Sequence, residues 1–215
     1  MLERIQAFAL ARAAEADPAH DELHLRRVVA NARGIMGNLP ASASVDRFVV
    51  EAACWLHDCV YLPKGQGVAG EAAQRSAGHA AAYLEELGVD THLVRAVHDA
   101  VLTHSFSGGL KPATIEAAIV QDADRLDALG AIGIARLWVT MVSMGGAMYH
   151  RDDPAGSSRD LDDRSWALDH IERKLFRLPT LMNTEAGRAE AERRAAFLRA
   201  YLDKFLREIG ARQED

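Results

Sequence analysis

An imidazole and a carboxylate stand side by side at His57-Asp58, inside the apolar run Ala53-Cys54-Trp55-Leu56-His57-Asp58-Cys59-Val60-Tyr61. A buried carboxylate is costly unless a cation or several donors accompany it, and a divalent metal shared with the neighbouring imidazole would serve both groups. Taken alone, the pair also fits a histidine that ends a helix and an aspartate that begins a turn. Two further stretches favour the metal. Upstream is His20-Asp21-Glu22-Leu23-His24-Leu25-Arg26-Arg27-Val28, and downstream is Val120-Gln121-Asp122-Ala123-Asp124-Arg125-Leu126-Asp127-Ala128. The order is then His, His-Asp, Asp. Imidazole and carboxylate together suit Mn²⁺, Fe²⁺, Co²⁺, Zn²⁺ or, with more water, Mg²⁺, and two of each balance a dication.

Residues two apart on a helix point about 200° apart, so Asp122 and Asp124 do not both face one ion, whereas Asp127 shares the face of Asp124. His20 lies one turn before His24. This order on a helical background resembles the HD-domain superfamily of metal-dependent phosphohydrolases. The match falls on His24 with Arg27-Val28, on His57-Asp58, and on Asp124 within Ala123-Asp124-Arg125-Leu126. Tyr61-Leu62-Pro63-Lys64, Arg75-Ser76, Thr103 to Ser107, Gln121 to Arg136, Tyr149-His150 with Asp152-Asp153-Pro154, Leu161-Asp162-Asp163 and Thr184 to Gly187 are similar to a bacterial subfamily. Some members of that subfamily are manganese-dependent nucleotide pyrophosphohydrolases.

The resemblance implies one divalent ion, Mn²⁺ before Mg²⁺, Fe²⁺, Co²⁺ or Zn²⁺, held by His24, His57, Asp58 and Asp124. It departs at Ala73-Gln74, where the family has a basic or His position before Arg75-Ser76, and at His79, which is expected to be an ordinary helical histidine. The residues that a dinuclear relative adds for a second ion are not cleanly present. Charge then assigns roles: the ion polarises phosphorus and acidifies water, and cations hold the remaining oxygens. Lys64, Arg75 and His104, with Asp58, form the expected catalytic set; Arg27, Arg125, His20 and Asp127 are expected on the substrate side or behind the ligands.

Helices must position all of these. Ala, Leu, Arg and Glu dominate, and apolar residues recur at spacings of three and four, which predicts an all-α chain with helices over about 2–16, 20–37, 44–61, 69–87, 90–104, 112–128, 130–144, 161–176 and 184–208. Asp17-Pro18, Gly37 to Pro40, the segment with Pro63, Gly65 and Gly67, and Gly108-Gly109 supply the breaks. The expected architecture is a single domain over 1–215, an HD-type helical bundle with its metal core at about 20–128 and additional C-terminal helices at about 130–208. The long irregular stretch 145–163 is either a lid or only a connection.

Composition narrows the partners. With 25 basic and 31 acidic residues, a net charge of −6 and no Lys/Arg block, a nucleic-acid polymer is not an expected ligand, while a small anionic nucleotide is. Cys54 and Cys59 are the only cysteines, both in the apolar run, so no disulfide framework is expected. There is no cationic start before an apolar core and no apolar run of about eighteen residues, which predicts a cytoplasmic protein without a membrane span. The expected activity is hydrolysis of phosphoanhydride bonds in small nucleotides, with nucleoside triphosphate pyrophosphohydrolysis first. The alternatives are a nucleotide phosphomonoesterase or phosphodiesterase, and a nucleotide-binding regulatory module without turnover. The sequence leaves the oligomeric state open.

Overall fold

The computed structural model describes residues 1–13, 18–62 and 68–212. The chain divides into two compact units, Met1–Asp127 and Ala128–Asp215. Among the described residues the regular structure is helical; the only bridge of the β type is an isolated one between Ala147 and Trp166.

The first unit holds α1 (Leu2–Ala13), α2 (Glu22–Gly37), α3 (Arg47–Leu56), α4 (Glu71–Glu86), α5 (Thr91–Thr103) and α6 (Ile115–Asp127). The sequence Val49-Val50-Glu51-Ala52-Ala53-Cys54-Trp55-Leu56 is buried on every side, and α3 accordingly packs against all five other helices of the unit. A helix apolar all round can only be stable at the centre of a bundle. Aspartates start α3 itself and its neighbours α2 and α5. Asp21 accepts the N–H of His24 at 3.0 Å, Asp46 those of Phe48 and Val49, and Asp90 that of His92, each satisfying a donor that a helix start leaves over.

The predicted helix over 44–61 is shorter than expected, because α3 ends at Leu56 with His57 as its cap. The apolar run past His57 reflects burial, and turn bonds replace the helical ladder: Cys59 N–H reaches Leu56 O, and Val60 N–H reaches the buried Ser76 hydroxyl at 3.1 Å.

The second unit holds α7 (Gly130–Ser143), α8 (Ala167–Arg173), a 3-10 stretch (Leu175–Leu181) and α9 (Glu185–Glu208). The helix predicted over 161–176 starts only at Ala167, since Asp162 folds back to accept the N–H groups of Arg164 and Ser165. Trp138 of α7 stacks on Phe205 of α9 and donates its indole N–H to Tyr201 at 3.2 Å. The long loop after α7 is closed on itself. Ala147 and Trp166 form the bridge, Asp153 accepts from Ser157 and Ser158, and Arg159 lays its guanidinium on the buried Asp169 at 2.5 and 2.7 Å. No single helix among the described residues is long and apolar enough to cross a membrane.

Candidate metal centre

His57 is the C-cap of α3 and His104 the C-cap of α5, two helices that pack together. Each turns its ring back so that Nδ1 donates to the carbonyl three residues earlier, Cys54 O at 2.8 Å and Val101 O at 2.6 Å. The rings then meet edge to face at 4.9 Å, with both Nε2 atoms left for the centre. Nothing in a sequence marks a backbone carbonyl as an orienting group, so this twin arrangement is legible only in the fold.

His24 enters from the first turn of α2, placed there by the Asp21 cap. Its Nδ1 donates to Asp127 at 2.8 Å, and its Nε2 lies 3.1 Å from His57 Nε2. If both Nδ1 atoms carry the proton they donate, two lone pairs face each other at that distance, which is repulsive unless a cation lies near them. Asp58 Oδ2 stands 3.6 Å from His24 Nε2 and 3.4 Å from His57 Nε2; Asp124 Oδ1 stands 3.6 and 3.8 Å from the same pair. Among the described residues, one ligand atom each from His24, His57 and Asp58 can lie within 4.8 Å of one another. Both imidazoles are fully buried, whereas the side chains of Asp58 and Asp124 keep 24% exposure, so the centre is reached from solvent past its carboxylates.

The electrostatics fit the same donor set. Burial opposes a charged His57, but Asp58 and Asp124 outweigh it and lift the imidazole to about 9. Burial likewise opposes charge on Asp58 and Asp124, yet the imidazoles around them hold both carboxyls below the usual range, Asp58 well below. Carboxylates that stay charged, with His57 favoured as an imidazolium when nothing else balances them, form a site built for positive charge. A divalent cation fits it.

The remaining expected residues fall in different places. His104 Nε2 lies 3.5 Å from Asp58 Oδ1, the oxygen not turned to the other imidazoles. His20 precedes α2, its ring edge-on to His24 at 5.7 Å and 6.4 Å from the Tyr61 ring. Asp127 is joined to His24 and also to Arg27, whose Nε and Nη2 reach its two oxygens at 2.7 and 3.0 Å. Arg125 is half-buried beside Asp122 and Asp124, and burial lowers its pKa. Arg75 is 56% exposed and pairs with Glu71 one turn back on α4. Lys64 lies outside the described residues. Asp122 is fully buried, and His79 is exposed on α4.

Ser76, which the sequence marks only through the likeness of Arg75-Ser76 to the subfamily, is buried. Its hydroxyl and carbonyl take Val60 N–H and Cys59 Sγ, tying the turn after Asp58 to α4. Gly70 opens α4 at φ +83°, where a Cβ would stand 3.1 Å from the Cα of Gly108, in the loop after His104.

Comparison with known proteins identifies the family of the chain. The HD-domain family model matches residues 22–129. YpgQ of Bacillus subtilis is 30% identical over 213 residues, covering 96% of this chain and 93% of YpgQ. Its crystal structure in complex with ADP superposes with a TM-score of 0.70 at 27% identity, covering 97% of this chain and 98% of that one. A Lactobacillus plantarum protein superposes at 0.77 with 31% identity, covering 98% and 97%. An HD-superfamily hydrolase of Bacillus thuringiensis superposes at 0.71, with the same identity and coverage. With half of the chain matched by that model and a relative of this identity along nearly its whole length, the chain belongs to the HD-domain family of metal-dependent phosphohydrolases.

Proposed function

We propose that the centre hydrolyses phosphoanhydride bonds in small nucleotides, releasing pyrophosphate from nucleoside triphosphates, with Mn²⁺ as the ion. The observation that carries the reading is the convergence of His24, His57, Asp58 and Asp124. That B. subtilis YpgQ crystallised with ADP supports a nucleotide as the ligand. His24 Nε2, His57 Nε2, Asp58 and Asp124 would hold the ion, which supplies Lewis acidity toward a phosphoryl oxygen and toward water.

The chain's own groups do the rest. Asp58 presents one oxygen to the imidazole pair and the other to His104, so it holds the ligand cluster and the proton-handling residue in one register. Because His104 Nδ1–H is committed to Val101 O, its Nε2 can hydrogen-bond Asp58 only as the imidazolium, and once deprotonated it presents a lone pair. In the reaction water adds to the α-phosphorus, the bond from that phosphorus to the bridging oxygen breaks, and pyrophosphate leaves. In this reading His104 moves the proton, which its 3.5 Å approach to Asp58 supports. Lys64, Arg75 and Arg125 are the proposed cations for the remaining phosphate oxygens, and His20 lies at the edge of the site. The reading makes the protein cytoplasmic, where its substrates are.

The test is product analysis with nucleoside mono-, di- and triphosphates in the presence of Mn²⁺. Pyrophosphate with a nucleoside monophosphate from triphosphates is the expected result. Orthophosphate from monophosphates would make the protein a phosphomonoesterase, and binding without turnover would make it a regulatory module.

A further inference from the structure

The sequence leaves Arg27 either on the substrate side, as a cation for phosphate, or behind the ligands. In the structure its guanidinium grips Asp127: Nε donates to Asp127 Oδ1 at 2.7 Å and Nη2 to Asp127 Oδ2 at 3.0 Å. Asp127 is 1% exposed, and its Oδ2 also takes the Nδ1–H of the fully buried His24 at 2.8 Å. Two of the strongest neutralising contacts an arginine can make therefore end on the carboxylate behind a proposed ligand.

This differs from the other imidazoles of the centre. His57 and His104 donate to backbone carbonyls, which are uncharged. His24 alone donates to a carboxylate, which fixes its tautomer with the Nε2 lone pair toward the centre and strengthens that nitrogen as a donor. A carboxylate buried to this degree stays charged only with a partner, and Arg27 is a charged partner on both of its oxygens. The three side chains form one chain of hydrogen bonds running from the half-buried Arg27 inward to His24.

We propose that Arg27 is a positioning residue, which sets metal affinity through Asp127 and His24 and does not hold the substrate's phosphate. This rests on the metal site named above but not on the identity of the nucleotide, and its test uses no nucleotide for the decisive reading. Mn²⁺ and Zn²⁺ are titrated into metal-free protein, parent and variants, by chelator competition. Asp127→Asn is expected to weaken both ions by about 10- to 100-fold, the effect found when the partner behind a metal-bound histidine is removed. Arg27→Ala is expected to weaken them by about tenfold, with KM at saturating Mn²⁺ unchanged for whichever substrate the parent hydrolyses. The double variant should be no weaker than Asp127→Asn alone, since both changes cut the same chain.

Unchanged Mn²⁺ and Zn²⁺ affinity in Arg27→Ala overturns the assignment, whether KM rises, as a phosphate-binding cation requires, or stays the same, as a solvated one requires. Additive losses in the double variant overturn it too. Should Arg27→Ala fail to fold, Arg27→Lys keeps the charge while losing the fork. It is then expected to lie between parent and Asp127→Asn in metal affinity, and parental affinity overturns the proposal.

Discussion

The two units each contain an aspartate of 1% exposure gripped by a forked arginine, Arg27 on Asp127 and Arg159 on Asp169. What differs is where the aspartate's remaining acceptor capacity goes. Asp127 passes it to a histidine side chain aimed at the metal centre, whereas Asp169 passes it to the backbone N–H of Asp162 at 2.7 Å. One ion pair ends on a group with chemistry still to do; the other ends on a loop. The same local physics thus tunes a site in one place and fastens a fold in the other, and the pair alone does not reveal which.

The largest expected effect comes from striking the centre itself. Asp124→Ala should reduce kcat/KM by about three orders of magnitude or more, roughly 4 kcal/mol of transition-state stabilisation, and lower bound metal measured by elemental analysis. Asp122→Ala, two residues earlier on α6 and fully buried, should keep the metal while lowering the thermal midpoint. Equal metal loss in both variants would mean that burial, not direction, decides which carboxylate matters.

Asp169→Ala should cost about 3 kcal/mol, since it leaves a partly buried guanidinium without its carboxylate. Denaturant unfolding measures the loss. Mn²⁺ affinity should stay parental, and a variant that also lost metal would erase the contrast between the two arginine pairs.

A smaller effect separates the units by pH. In the metal-free protein His57 titrates at about 9, above the ordinary 6.5, so its charged form supports the fold fully below 6.5 and that support is lost as pH rises through 9. Thermal melts of chelator-treated protein should therefore fall across this window, and Mn²⁺ affinity should rise across it as the competing proton leaves. Melts that do not move, or an affinity flat with pH, would put the proton elsewhere.

The smallest effect is at the thiols. Burial raises Cys54 strongly and Cys59 to about 11, so a thiol reagent at pH 8 should label neither until the first unit unfolds. Prompt labelling of Cys59 would show that the turn after Asp58 opens in the native state.

Much of this was legible because spacing and chemistry are local. The order His24, His57-Asp58, Asp124 needed only residue types on separate helices, and the angular argument placing Asp127 with Asp124 holds because α6 runs unbroken through both. The all-α class followed from the three-and-four periodicity. What the sequence hid are facts about backbone and about distant partners. Apolar residues continue past His57, so burial looked like helix, and the i to i−3 ring-to-carbonyl bonds that end α3 and α5 leave no trace in residue type. Arg27 and Asp127 are 100 residues apart, which is why the sequence left Arg27 open between the substrate side and a place behind the ligands. Lys64 lies outside the described residues, and Arg75 points to its own helix partner.

The contact between Gly70 and Gly108 limits which sequences can keep this site. At Gly70 the positive φ strains any L side chain, and an added Cβ would also stand 3.1 Å from the Cα of Gly108, a contact relieved only by moving backbone. At Gly108 an added Cβ would find ordinary contacts of 3.5 Å or more, so alanine is admissible there. The meeting of the two loops is thus asymmetric under sequence drift. A side chain at the start of α4 is strained, while the loop following His104 has room for one at Gly108, so sequence drift at this contact is expected on the loop side.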